Sequence, residues 1–164
     1  VDKSNVLATS KFWRQTAERI AKRYPKVTVD YKYIDAMTMA IMTQPTAFDV
    51  IITANLFGDI LSDEAAQITG SIGTIPSMSA GATGPNLYEP IHGSAPDIAG
   101  RGIADPIAMV KSVAMMMQYS FNEPEIAKAI EQACDQVIAA GITTPDLGGQ
   151  ATTDAVTDAI IARI

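Results

Sequence analysis

A single cysteine, Cys134, leaves no partner for an internal disulfide, so the fold must hold by packing alone and suits a reducing, cytoplasmic compartment. Cys134 lies among Ala and Ile at helical spacing, which predicts a small buried hydrophobe. Positive charge is also scarce. Lys and Arg number 12 against 18 Asp and Glu, for a formal net charge of −6, and this argues against nucleic acid as a partner. No apolar run approaches the length of a membrane span, and no charged-then-apolar signal segment opens the chain. There is no internal repeat and no low-complexity tract. The chain opens on Val1 rather than Met, and Lys3 follows almost at once, the pattern expected of a fragment or a processed chain. What remains is globular: 164 residues, 48% hydrophobic and 18% charged, enough for one domain with a real core.

Residues 4–24 carry helical periodicity, with Val6, Trp13, Ala17, Ile20 and Tyr24 on the expected core face and Arg14, Glu18, Arg19, Lys22 and Arg23 opposite. Pro25 ends the run. Residues 27–34 alternate, which predicts a half-buried strand, and Asp35 then opens an apolar helix that stops near Pro45. Residues 48–53 (FDVIIT) predict a buried strand, and residues 56–69 a helix. Strand, helix, strand, helix is the α/β rhythm, in which ligands gather at strand ends. Residues 70–87 are rich in Gly, Ser and Pro and predict a long loop or a domain boundary. Asp105 followed by Pro106 predicts the start of an apolar helix to about Ser120. Its methionines read as core or interface packing rather than as a soft binding surface. Asn122 is expected to cap a helix ending at Gly141, with Ile126, Ile130, Ala133 and Val137 inward. Residues 143–150 form a loop, and a last helix runs from Thr153 to about Arg163.

The most informative stretch is residues 55–65, NLFGDILSDEA. Asp59 and Asp63 stand four apart, on one helix face. Their apolar neighbours Leu56, Phe57, Ile60 and Leu61 predict partial burial. Paired carboxylate oxygens there suit a hard divalent ion such as Mg²⁺ or Mn²⁺, or they form a solvated acidic face. Lys3 and Asn5 flank the first helix start, and Asp35 ends a strand, where it can cap the helix that follows. Glu89 and the lone histidine His92 bracket a strand end. A histidine there is either hydrogen-bonded structure or a ligand contact. Residues 93–102 are Gly-rich but lack the G-x-G-x-x-G fingerprint. Gly93 and Gly100 permit close backbone approach to a ligand. Asp97 could accept two hydrogen bonds from a ribose diol and would repel a 2′-phosphate, favouring NAD over NADP.

NLFGDILSDEA, TGSIG and LYEPIHGSAPDIAGRGIADP, in this order, resemble the β-decarboxylating dehydrogenases of the isocitrate/isopropylmalate family. The similarity runs from Asp2 to the carboxy end. It implies an α/β fold of the isopropylmalate dehydrogenase type, which is not a Rossmann fold and has a twelve-stranded sheet spanning two domains. It implies that this chain is the later half: residues 1–70 part of an inner, dimer-forming, metal-binding domain, and residues 71–164 the returning part of an outer, NAD-binding domain. The implied activity is oxidation of a 2-hydroxy di- or tricarboxylate with NAD and loss of the neighbouring carboxylate as CO₂. The motifs fit the branch acting on 3-isopropylmalate in leucine biosynthesis most closely, and the tartrate/malate and homoisocitrate branches share much of the pattern. A non-catalytic binding or assembly fragment is the alternative outside that class.

Residue by residue, the resemblance implies that Asp59 and Asp63 bind the metal with Asp35 contributed across a homodimer interface, where active sites are shared. It implies that Lys3 is catalytic and that Asn5, Val6 and Asp35 lie at the substrate. Gly70, Ser71, Ile72 and Gly73 match one NAD-contacting turn. Gly93, Ser94, Ala95, Pro96, Asp97, Ile98 and Ala99 match the first part of the loop that holds the adenosine. Gly100, Arg101, Gly102, Ile103, Ala104 and Asp105 complete it, with Glu89 and His92 at its entrance. NADP-using relatives carry Lys and Tyr where this chain has Asp97 and Ile98. One position departs: the family usually has Asn where this chain has Asp105. The family's catalytic tyrosine and the arginines that clamp the substrate carboxylates are expected upstream of Val1.

Overall fold

The computed structural model describes residues 1–164. Six α-helices, four single 3-10 turns and one two-stranded antiparallel sheet form two compact units, Val1–Ala65 and Ala66–Ile164. The division falls inside the helix Asn55–Thr69. Leu61 and Ala65 still pack on the core of the first unit, and that packing draws the line.

In the first unit, α1 spans Ala8–Ala21, α2 Ile34–Thr43 and α3 Asn55–Thr69, the last running past the division. The core is small: Met37, Ile41 and Leu61 are buried, with Val1, Ile34, Phe48, Ile51 and Ala65 packed around them. The two strands expected at residues 27–34 and 48–53 do not form. A strand needs a neighbouring backbone to pair with, and here only residues 1–3 offer one. Asp2 makes a parallel bridge with Tyr33, its N–H donating to Lys32 O at 3.2 Å and its carbonyl accepting from Ile34 N at 2.8 Å. On the other side Val1 N donates to Ile52 O at 2.6 Å. The alternating pattern is therefore present without its ladder, and Val27, Val29, Val50 and Ile52 are left exposed, Val50 by 80%.

α1 also differs from its expected extent and facing. Residues 4–7 form a turn, with Val6 N and Leu7 N both donating to Lys3 O. Val6, Ile20 and Tyr24 are exposed rather than buried. The inward stripe is instead Ser10, Trp13, Arg14 and Ala17, because Arg14 finds a buried carboxylate on Asp2.

The second unit is closed by its own packing. β1 (Pro76–Ser79) pairs antiparallel with β2 (Leu87–Pro90), Ser77 opposite Glu89 and Met78 opposite Tyr88. β1 lies inside the stretch expected to be only loop. Its four residues are too few for alternation to show. α4 (Ile107–Tyr119), α5 (Pro124–Ala139) and α6 (Thr153–Ile161) enclose Ile107, Ala133, Cys134, Val137, Val156 and Ile160. A neighbouring cluster joins Ala114, Ala127 and Ile130. Cys134 is fully buried, and burial pushes its thiol up to about 11. Two helix details correct the expectation. Asn122 does not cap α5: it adopts a left-handed conformation (φ 55°), and the helix starts at Pro124, whose fixed φ suits the first turn. Ile126, on that first turn, is exposed. No helix is long and apolar enough to cross a membrane.

Candidate active site

In the first unit the extended segments bring Lys3 and Asp35 together. The bridge between Asp2 and Tyr33 is parallel, so the residues that follow each partner emerge at the same end. Lys3 Nζ lies 2.5 Å from Asp35 Oδ1 and 5.8 Å from the centroid of the Tyr33 ring. The Lys3 side chain is largely covered, whereas that of Asp35 is 65% exposed. The Lys3 ammonium beside it, then the amides of Asp35 and Ala36 at the start of α2, hold the Asp35 carboxyl below the usual range. A lysine poised on a carboxylate beside a parallel bridge can give or take a proton at a bound ligand. Asn5 and Val6 sit in the exposed turn after Lys3.

Asp59 and Asp63 project from α3, both exposed and neither carboxylate hydrogen-bonded. All four oxygens are open, and such hard donors suit a divalent cation. No three His, Cys, Asp or Glu residues cluster closely enough to hold an ion, and Asp35 is paired with Lys3.

The second unit gathers the glycine-rich residues around the start of α4. Gly70 turns the chain with φ 94°, and Ser71 Oγ accepts from Gly73 N at 3.0 Å to cap the 3-10 turn Ile72–Thr74. The same hydroxyl donates to Asp146, whose other oxygen accepts from Thr144 Oγ1 at 2.5 Å. A Cβ on Gly73 would come within 2.7 Å of Asp105 Cβ. The first glycine turn thus presses on the last residue of the second, and only a residue without a side chain fits between them.

Asp105 Oδ1 accepts from Ile107 N at 2.8 Å, the expected capping contact. Asp105 Oδ2 is the one buried side-chain polar atom without a partner. Burial raises its carboxyl to about 6, with the nearby Asp146 adding to the effect and His92 opposing it. The departure from Asn therefore keeps the cap and, below about pH 6, supplies a proton to donate. An unpaired buried oxygen at this place fits a bound molecule that offers it a hydrogen-bonding partner.

The intervening loop is exposed over residues 93–97 and tied at its end, where Gly102 O accepts from Thr153 N at 2.9 Å and Ala104 O from Thr153 Oγ1 at 2.6 Å. Gly100 and Gly102 have positive φ, 74° and 64°. The Asp97 carboxylate stands on the 3-10 turn Pro96–Ile98 and makes no hydrogen bond to the loop, so it is not a turn cap. His92 Nδ1 lies 2.9 Å from Gly93 O, a structural contact at the loop entrance. Glu89 is exposed on β2.

Sequence reasoning missed the pair of Asp2 and Arg14. Asp2 is 2% exposed. Burial pushes its carboxyl up, but the hydrogen bonds from Arg14 and the Ser4 amide outweigh that and leave it below the usual range. The available signal was the small-residue stripe Ser10, Ala17 and Ala21, which shares a helix face with Arg14 and marks that face as the inner one.

The first unit thus carries an acid–base pair and two exposed carboxylates, and the second carries glycine turns around a helix start. The sequence model of the isocitrate/isopropylmalate dehydrogenase family matches residues 1–160, and the chain belongs to that family. It is similar to the 3-isopropylmalate dehydrogenase of Streptococcus thermophilus, 54% identical over 164 residues, which are 100% of this chain and 48% of that protein. The Lactococcus lactis enzyme of the same name is 55% identical over 161 residues, 98% of this chain and 47% of its own. The crystal structure of isocitrate dehydrogenase from Methylococcus capsulatus matches with 43% identity and a TM-score of 0.93, over 98% of this chain and 48% of that one. A β-decarboxylating dehydrogenase from Thermococcus kodakarensis in its apo form matches with 42% identity and a TM-score of 0.84, over 99% and 47%. The fold is therefore α/β of the isocitrate/isopropylmalate dehydrogenase type, helix-rich in this chain, which spans about half the length of the curated relatives it matches.

Proposed function

We propose that this chain forms the later half of a cytoplasmic NAD-dependent 3-isopropylmalate dehydrogenase of leucine biosynthesis, and that it acts as a homodimer with shared sites. The observation that carries the reading is the contact of Lys3 with Asp35 at the end of a parallel bridge, in a chain of this family whose curated relatives bear that name. In this reading Asp59 and Asp63 of one copy, with Asp35 of a second, hold Mg²⁺ or Mn²⁺. The ion supplies Lewis acidity toward the substrate hydroxyl and the ketone that follows. As the neutral amine, Lys3 would take the hydroxyl proton, and NAD bound nearby would supply the hydride acceptor. Asn5 and Val6 border the substrate. The turn Gly70–Gly73 and the loop from Gly93 to Asp105 bind the adenosine part of NAD, and exposed Asp97 faces the ribose diol. Release of CO₂ and protonation of the enol carbon fall to groups outside these residues.

The test is an assay of the protein at the full length of its relatives with 3-isopropylmalate, NAD and Mg²⁺. NADH and CO₂ formed in equal amounts support the reading. Turnover of tartrate, malate or homoisocitrate in place of 3-isopropylmalate would move the substrate and keep the reaction class. A second reading is a binding or assembly module without turnover, in which Asp35 stays paired with Lys3 and the carboxylates of Asp59 and Asp63 stay solvated. It predicts no NADH from any of these acids.

A further inference from the structure

We propose that Arg14 is a positioning residue that sets the Lys3–Asp35 couple by gripping the residues just before each member. This rests on the reading of Lys3 as the proton acceptor. The guanidinium makes two sets of contacts. Its Nε and Nη2 donate to the two oxygens of Asp2, at 2.7 and 3.0 Å. Its Cζ also lies 5.2 Å from the Tyr31 ring centroid and 5.1 Å from that of Tyr33, within cation–π range. Asp2 directly precedes Lys3, and Tyr33 precedes Asp35 by two residues. One cation therefore ties together the two segments that must present Lys3 and Asp35 to each other.

Asp2 is fixed from both directions. Its backbone bridges residues 32–34, and its Oδ1 also accepts from Ser4 N at 2.8 Å, which closes the turn that carries Lys3. With only a single bridge between the segments, the backbone alone leaves their angle loosely defined. The side-chain clamp supplies what a longer ladder would. It also gives a use to a pair whose carboxylate is buried. A buried ion pair is weak as a source of stability but specific in geometry. Lysine at position 14 would keep the charge and lose the two-pronged fork on Asp2.

The test uses the full-length protein in EDTA, with acylation of Lys3 by an activated acetate ester followed by peptide mass spectrometry. Lys128, exposed on α5, is the internal reference. Arg14→Lys and Arg14→Met are both expected to raise the Lys3 labelling rate several-fold relative to Lys128, with Arg14→Lys carrying the result if Arg14→Met does not fold. An unchanged ratio in folded Arg14→Lys overturns the proposal. In the dehydrogenase assay Arg14→Lys should lower kcat on the order of tenfold to a hundredfold with KM nearly kept, as misplacement of a reacting group does. Unchanged kcat below the melting transition would make Arg14 a stabilising residue only. If the parent protein makes no NADH, the proposed function falls, and labelling alone decides the role of Arg14.

Discussion

The first unit holds the Lys3–Asp35 pair and almost no core, whereas the second holds a closed core and the glycine turns. Ile107, Val137, Val156 and Ile160 in the second are all but fully buried by their own neighbours. In the first, most of the large apolar side chains stay exposed, among them Phe12 (72%), Val50 and Ile52. The difference follows from what each segment needs in order to be buried. Helices α4, α5 and α6 are neighbours in sequence and cover one another. The extended runs of the first unit need backbone partners that residues 1–3 only begin to supply. What holds the first unit in register is polar: the clamp of Arg14 on Asp2 and the pair of Lys3 with Asp35. Geometry around Lys3 and Asp35 therefore depends on a few charged contacts, whereas packing secures the glycine turns of the second unit.

The largest expected effect is on the Lys3–Asp35 pair. Lys3→Ala in the full-length protein should lower kcat by about 10²- to 10⁴-fold, the usual range for a general base, with little change in KM. A loss expressed in KM alone would make Lys3 a binding group. Next comes packing. Ile160→Ala should destabilise the isolated chain by about 2–5 kcal/mol, while Phe12→Ala should stay within about 0.5 kcal/mol, both read by denaturant unfolding. Equal losses would erase the contrast between the units. Third, Asp97→Lys with Ile98→Tyr should shift preference from NAD toward NADP by roughly thirty- to a thousandfold in kcat/KM, the range for losing two hydrogen bonds to a charged group. Both efficiencies falling together would return Asp97 to a structural role.

The smallest effect is the most discriminating, because the two units should respond to pH with opposite sign. Asp2 and Asp35 have folded pKa values below their ordinary 3.8. Their stabilisation is present above that value and is lost as pH falls through the lower folded values. Asp105 is raised from 3.8 to about 6, so the folded state binds the extra proton. Its stabilisation is present below about pH 4 and is lost as pH rises to about 6. Opening free energies from amide exchange should accordingly fall on acidification in residues 1–65, and fall between about pH 4 and 6 with rising pH around α4. Asp105→Asn should flatten the second slope only.

Much of the second unit was legible in the sequence, because its helices have local signals: Asp105 with Pro106 at a start, Gly141 at an end, and apolar residues at helical spacing that did prove buried. The helix of Asp59 and Asp63 was equally plain. Less of the first unit could be read. Alternation at residues 27–34 and 48–53 records which faces are to be covered, but it does not say whether a pairing strand lies in the same chain. The inward turn of Arg14 was hidden for a related reason. Its carboxylate partner lies twelve residues away and shows its burial only in three dimensions. Of the candidate site, the motifs named the residues, and chain geometry alone showed that Asp105 keeps an unpaired oxygen and that no single copy gathers three carboxylates.

That last observation leads to the most direct test of the account, subunit complementation in the full-length protein. Lys3→Ala and Asp59→Asn chains, each inactive alone, are mixed, dissociated and reassembled, and NADH formation is measured with 3-isopropylmalate, NAD and Mg²⁺. If one copy supplies Asp59 and Asp63 while the other supplies Lys3 and Asp35, a mixed dimer regains one intact site. A random one-to-one mixture of a symmetric dimer should then recover about a quarter of the unsubstituted activity. No recovery, with mixed dimers shown to be present, would contradict sharing of the site and place all its residues within one copy.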